Sequence, residues 1–192
     1  MIILLQHNYE TVGVLADWQI RSRCEGDSPM VEPFVLDLLN PASLDVILGP
    51  YIMVEDPSNF DLVRVDISEH TEDNPWLLDP GEFILAETRE TFNMPDNLCA
   101  IFALKSSRAR AGYEHANAGF ADPGWAGSKL TLEIKNNRRY HPLPIFEGLK
   151  IGQLVFHWMD ETPVLNYPNQ RGGAHYMNHQ TVMPDIAVSR SA

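Results

Sequence analysis

Within Lys105-Ser106-Ser107-Arg108-Ala109-Arg110-Ala111-Gly112, three cations and two hydroxyls fall in eight residues. An apolar run ends at Leu104 just before it. Ser106 then reads as the N-cap of a short helical turn, and Gly112 as its stop. Free backbone N–H groups at such a start attract phosphate, Arg adds a planar fork for its oxygens, and Lys adds a point charge. The same residues also suit a capped, solvated surface helix, so the segment alone leaves both readings open. Downstream, Gly119-Phe120-Ala121-Asp122-Pro123-Gly124-Trp125-Ala126-Gly127 holds a turn followed by a tryptophan. That is a turn with a core-packing Trp125, unless Asp122 faces a pocket, where it would bind a ribose hydroxyl or activate water. In Leu130-Thr131-Leu132-Glu133-Ile134, period-two alternation puts Leu130, Leu132 and Ile134 on one face, with Thr131 and Glu133 on the other. Glu133 is a surface glutamate if the second face is open. If that face lines a closed pocket, its pKa should rise and it becomes a proton shuttle.

Metal chemistry finds little support. Of the seven histidines only His175 and His179 are close in sequence, in a glycine-rich stretch with no HExxH glutamate. The H-x-E plus P-C-x-x-C combination of zinc deaminases is absent, as is a Walker loop. Cys24 and Cys99 form no metal or redox motif, so no zinc is expected and a reducing compartment is the default. The net charge of −12 argues against nonspecific nucleic-acid binding. Residues 1–100 carry −15 and residues 101–192 carry +3. A local cationic turn on an acidic chain suits a small polyanion better than a long one.

The elements that must position these residues read as mostly β. Candidate strands are Leu44 to Val54, Leu62 to Ile67, Glu82 to Glu87, Leu98 to Leu104, Lys129 to Lys135 and Ile151 to Trp158, with turn signals between them. Short strands at this spacing favour a sandwich or barrel over βαβ units. Helix is confined to a turn near Leu15 to Arg21 and another at Ser106 to Ala111. From Pro163 to Ala192 the chain turns polar and reads as a mobile tail. At 192 residues one domain spanning residues 1–192 is expected. No apolar run reaches the roughly 18 residues of a membrane helix. Met1 to Leu5 lacks a basic n-region, so the expected location is cytoplasmic.

Taken together, these segments resemble the dCTP deaminase branch of the trimeric dUTPase-like superfamily. The resemblance rests on Pro41-Ala42-Ser43-Leu44-Asp45-Val46-Ile47-Leu48-Gly49, Lys105 to Gly112, Ala118 to Gly127, Leu132-Glu133-Ile134-Lys135-Asn136 and Gly148-Leu149-Lys150-Ile151-Gly152-Gln153-Leu154. It runs from about residue 36 to 180, and its strength lies in the order and spacing of the five motifs. It implies a distorted β-barrel or jelly-roll with short helices and a flexible C-terminal tail, assembled as a homotrimer with active sites between subunits. The implied reaction is hydrolytic deamination of dCTP to dUTP and ammonia without zinc, with Mg²⁺ carried on the triphosphate. Glu133 matches the family's catalytic glutamate. Ser106 and the backbone of Ala118 match groups that hold the water, and Arg110 matches the arginine beside the base. Lys105, Ser107 and Arg110 fall at the triphosphate, Asp122 falls near the deoxyribose, and Trp125 is expected among the substrate-binding residues, standing where the dUTPase pattern has tyrosine. Tyr167, His175 and His179 fall in the tail, residues 163–192, that closes over the nucleotide.

The chain departs from the family pattern at several points. Lys105 replaces a common arginine, Arg108 a common apolar residue, and His175 stands near a usual lysine. One residue is missing between Gly112 and His115 and one is extra between Gly127 and Glu133, which keeps the Ser106-to-Glu133 spacing. The alternative activity is that of a dUTPase, or of a bifunctional enzyme yielding dUMP and pyrophosphate, because Gly119 to Gly127 also satisfies a loose G-x-x-D-x-x-aromatic-x-G pattern. In that case Asp122 would orient the attacking water. A catalytically silent nucleotide-binding regulatory module is the third reading.

Overall fold

The structure, a computed structural model, describes residues 13–185. The Met1 to Leu5 segment and the last part of the tail, residues 186–192, lie outside the described residues. In chain order the first half forms β1 (Gly13–Val14), α1 (Asp17–Cys24), β2 (Val31–Glu32), β3 (Leu39–Asn40), β4 (Ser43–Asp56), β5 (Asn59–Asp66), β6 (Trp76–Leu78) and β7 (Phe83–Asn93). The second half forms β8 (Leu98–Leu104), α2 (Ser106–Ala111), β9 (Tyr113–His115), β10 (Phe120–Ala121), β11 (Ala126–Asn136), β12 (Leu143–Ile145) and β13 (Lys150–Trp158). The principal sheet runs β10-β8-β13-β4-β7-β11-β9, with antiparallel neighbours throughout, and it curls into a half-barrel. The mostly β expectation therefore holds.

Sequence pattern explains the placement of the strands. In β11 burial alternates strictly from Ser128 to Asn136, so Leu130, Leu132 and Ile134 enter the core while Lys129, Thr131 and Glu133 face the other way. In β4 every residue from Ser43 to Gly49 is buried, as befits a central strand covered on both faces. Phe92, Phe156, Leu44, Leu48, Ile52, Leu98 and Leu132 form the fully buried centre.

Three differences from the sequence reading have physical causes. β7 runs to Asn93 rather than Glu87, because buried polar residues (Glu87, Thr88, Glu90) interrupt the apolar alternation that marks a strand. The N-cap of α2 is Lys105, not Ser106, and no side chain caps the helix; Gly112 does end it, at φ 109°. The segment 163–185, read as a mobile tail, is laid along its own barrel by backbone and side-chain hydrogen bonds, and Val182 is buried.

Two register breaks shape the β7–β11 pair. Between Ala126 and Ser128, β11 holds one residue more than β7, a bulge at Gly127 with φ 68° that only glycine adopts without strain. Between Lys129 and Thr131 the surplus lies on β7, where Thr88, Arg89 and Glu90 fall opposite Leu130.

Candidate active site

Between the outer face of β11 and the C-terminal segment lies a pocket of about 600 Å³. Its lining brings together Glu133, Ala118, Asp122, Trp125, Tyr167, His175 and His179, seven of the residues singled out in the sequence. Glu133 reaches it from the middle of β11, opposite Leu85 of β7. The connection after β9 is held beside it, since the Ala116 N–H donates to the Glu133 carbonyl at 3.3 Å. Asn117 then takes φ 61°, and this reversal presents the exposed Ala118 to the pocket. The Ala118 carbonyl accepts from the Phe120 N–H at 3.1 Å, which leaves it a second lone pair.

The Glu133 side chain is a quarter exposed, and its Oε2 lies 3.2 Å from Nε2 of the buried His115. The two atoms are at contact distance but off the line of a hydrogen bond, so each is buried without a hydrogen-bond partner. The His115 ring packs on Phe102, centroids 4.6 Å apart. Nothing in the sequence pattern pointed to His115; it enters because β9 pairs with β11 one residue beyond Glu133.

Asp122 opens the turn that Trp125 closes, the Trp125 N–H donating to the Asp122 carbonyl at 3.1 Å, and burial pushes the Asp122 carboxyl above the usual aspartate value. Trp125 is at once a pocket wall and a core residue: it stacks on Phe92 at 6.0 Å, and its indole N–H donates to the Tyr176 carbonyl at 2.8 Å. Burial likewise raises the Tyr167 hydroxyl, which accepts from the Tyr176 N–H at 3.2 Å. His179 places a buried, unpartnered Nδ1 in the pocket lining. Sequence reasoning missed Lys129, although alternation from Glu133 through Thr131 places it on this same face.

The cationic turn is elsewhere. Lys105, Ser106, Ser107 and Arg110 do not line the pocket, nor the cavity of about 370 Å³ beside α2 that Ala109, Gly112 and His115 help to enclose. Lys105 is committed to the buried Asp45, its Nζ lying 2.6 and 2.7 Å from the two carboxylate oxygens. Arg108 donates to the Lys150 carbonyl at 2.8 Å. Ser106, Ser107 and Arg110 stand exposed, and Arg110 has no hydrogen-bond or ion-pair partner among the described residues. One copy of the chain thus keeps its candidate proton shuttle and its candidate phosphate turn apart. Among the described residues, no three His, Cys, Asp or Glu side chains cluster as a metal-ligand set, and no helix is long and apolar enough to cross a membrane.

A family model described as dCTP deaminase-like matches residues 14–159. A protein of Methanosphaerula palustris named "dCTP deaminase, dUMP-forming" is 41% identical over 153 residues, covering 75% of this chain and 80% of that protein. A Streptomyces coelicolor protein of the same name is 33% identical over 176 residues, covering 87% of this chain and 91% of its own. Among solved structures, 2'-deoxycytidine 5'-triphosphate deaminase from Agrobacterium tumefaciens superposes with a TM-score of 0.63 at 26% identity. The match covers 77% of this chain and 49% of that one, so this chain spans about half its length. The two named relatives are described as forming dUMP, whereas the leading sequence expectation for this chain ended at dUTP, with dUMP as its alternative.

Proposed function

The chain belongs to the dCTP deaminase-like family, and from that premise we propose that it deaminates dCTP and carries the product on to dUMP. The observation that carries this reading is that Glu133 and Asp122 line one pocket. The deamination half needs a base for water and an acid for the ring, and one enclosed carboxyl serves both in turn. Glu133 takes a proton from a water held near the Ala118 backbone, and the oxygen attacks C4 of cytosine. The carboxyl then gives that proton to N3. Collapse of the tetrahedral carbon, with the remaining hydroxyl proton passed through Glu133 to the amino group, releases ammonia and leaves the uracil carbonyl. In the second half Asp122 orients a water toward the α-phosphorus, and the phosphoanhydride bond breaks to give dUMP and pyrophosphate.

The triphosphate calls for cations, and α2 offers Arg110, which has no hydrogen-bond or ion-pair partner among the described residues. We propose that α2 of a second copy brings Ser106, Ser107 and Arg110 to the mouth of the pocket, as in a homotrimer with sites between subunits. Ser106 and Arg110 would then also reach the water and the base beside Glu133. Lys105, tied to Asp45, contributes its field rather than a direct contact. Mg²⁺ enters on the phosphates as part of the substrate. Trp125 and Tyr167 form the wall beside the sugar, and His175 and His179 lie on the segment that covers it.

The test is product analysis with Mg²⁺ and dCTP, and in parallel with dUTP. Ammonia, dUMP and pyrophosphate from dCTP are expected. Accumulation of dUTP alone would reduce the activity to simple deamination and release Asp122 from its second role, and no turnover of either nucleotide would leave only binding.

A further inference from the structure

Glu87 lies in the middle of β7 with 0% of its surface exposed, and neither half-reaction above uses it. Its carboxylate is nevertheless fully engaged. Oε1 lies 2.7 Å from Lys129 Nζ, while Oε2 accepts from the Thr181 hydroxyl and the Val182 backbone N–H, both at 2.9 Å. Lys129 lines the pocket from β11, and Thr181 and Val182 continue the segment whose His175, Tyr176 and His179 form the facing wall. One buried carboxylate therefore joins a pocket wall to the segment that covers it.

The fold makes room for this group. Gly49 of β4 approaches so closely that a Cβ there would stand 2.9 Å from Glu87 Oε1 and 3.1 Å from the Thr88 carbonyl. Gly49 falls in the register break between Leu48 and Ile52 where β4 meets β7, and Glu87 itself pairs with Thr131 at the edge of the β7–β11 break. A carboxylate leaves water at a cost that only charged and hydrogen-bonded partners offset. If residues 181–182 undocked, Oε2 would lose both donors at once. The other attachments of the segment to the sheet are more numerous but neutral. The Trp125 indole N–H and the Ser128 hydroxyl donate to the Tyr176 carbonyl, both at 2.8 Å, and the Asn178 N–H donates to the Ala126 carbonyl at 3.2 Å. The Lys129 N–H donates to the His179 carbonyl at 2.9 Å, and the His179 N–H to Ser128 Oγ at 3.0 Å. The Gln180 side-chain amide donates to the Gly127 carbonyl, the Thr91 hydroxyl to Gln180 Oε1 at 3.4 Å, and the Met183 N–H to Thr131 Oγ1 at 3.3 Å. Hydrogen bonds to a charged acceptor are stronger than these.

We propose that Glu87 is a positioning residue that latches residues 176–183 onto β11, and so sets how tightly the pocket closes on the nucleotide. This rests on the reading of the pocket as the nucleotide site. A protein whose closed form is only partly populated binds more weakly in proportion to that fraction. Loosening the latch should therefore raise KM for dCTP and hold kcat at saturation within about 2-fold, whereas a merely structural role would lower kcat and thermal stability together.

The experiment compares deuterium uptake of peptides covering residues 174–185, with steady-state KM and kcat, in the full chain and three variants. Thr181→Val removes one bond to a charged acceptor and should speed exchange of the segment about 10-fold or more. Glu87→Ala should speed it further, and Glu87→Gln, which keeps an oxygen for Thr181 and Val182, should fall between Glu87→Ala and the parent. Should Glu87→Ala fail to fold for want of a partner for Lys129, Thr181→Val carries the comparison alone. Unchanged exchange in a folded Thr181→Val would overturn the latch, and so would faster exchange with an unchanged KM. If the parent chain turned over neither nucleotide, the reading of the site would fall, while the exchange comparison would still decide whether Glu87 holds the segment.

Discussion

On the pocket face of β11 the charged groups have neighbours inside the chain: Lys129 pairs with Glu87, and Glu133 lies against His115. On α2, by contrast, Ser106, Ser107 and Arg110 point outward, and the neighbouring cations are spent on Asp45 and on the Lys150 carbonyl. The β11 face is a finished pocket, whereas the α2 face is an unfinished one whose free donors match a ligand or a second chain. If the two belong to one reaction, changes on the first face should strike chemistry, and changes on the second should strike binding.

The sharpest break of that contrast is Glu133→Gln. It should abolish deamination, a loss of about 10²- to 10⁴-fold for general acid–base catalysis, while nucleotide binding by calorimetry stays near the parent value. Retained turnover would remove Glu133 from its role. Arg110→Ala should be smaller, about 10- to 100-fold in kcat/KM for loss of hydrogen bonds to a charged partner, and expressed mainly in KM. Mixing the two variants under conditions of subunit exchange, and assaying at dCTP well below the KM of Arg110→Ala, should give more activity than the sum of the parts, because some sites would then take Glu133 from one copy and Arg110 from another. Mixtures no more active than the parts would mean that a single copy builds the whole site, and a monomer by light scattering would say the same.

How much of this was legible in the sequence depended on the physical signal each residue leaves. β8 and α2 were readable to the residue, because apolar runs end there in turn residues and Gly112 must take positive φ. Glu133 was readable as a face: period-two alternation placed it opposite the core, and the strand does so. Its closure into a pocket was not readable from the alternation and came only with the family resemblance, since it depends on residues 175–185 returning to lie on the same strand. His115 left no pattern at all, being brought to Glu133 only by the β9–β11 register. The second half of β7 was hidden for the opposite reason to most misses: its polar residues are inside, where charge and hydroxyl partners replace water.

His115→Phe probes the contact at the boundary of the two faces. The ring can keep its packing on Phe102, while the nitrogen 3.2 Å from Glu133 is lost. If the pair closes into a hydrogen bond during turnover, kcat should fall about 5- to 10-fold with KM nearly unchanged, the size expected of a single such bond. An unaltered kcat would make His115 a packing residue and leave Glu133 to work with the nucleotide and Ala118 alone.

The smallest effect is expected at Glu90, which tests whether the buried acids of β7 owe their tolerance to their partners. Glu87 has a lysine and two donors. Glu90, three residues on and 1% exposed, has its own backbone N–H, the Ile47 N–H at 3.2 Å and an Arg89 contact at 3.5 Å, with no lysine. Burial accordingly pushes its carboxyl above the ordinary value of 4.5, an effect that the bonds from its own backbone N–H, from Ile47 and from Arg89 only partly oppose. A carboxyl with a raised folded pKa binds protons more tightly in the native than in the unfolded chain. Stability from it is thus fully present below 4.5 and is lost as pH rises through the folded value. Glu90→Gln removes that titration and keeps an oxygen for Ile47. Its melting temperature should therefore exceed the parent's by a few degrees at pH 8, with the gap closing toward pH 4, as followed by thermal melts across that range. A gap of constant size would place the gain in packing rather than in the charge, and a deficit at pH 8 would mean that the ionised Glu90 is better solvated by its two neighbours than its burial implies.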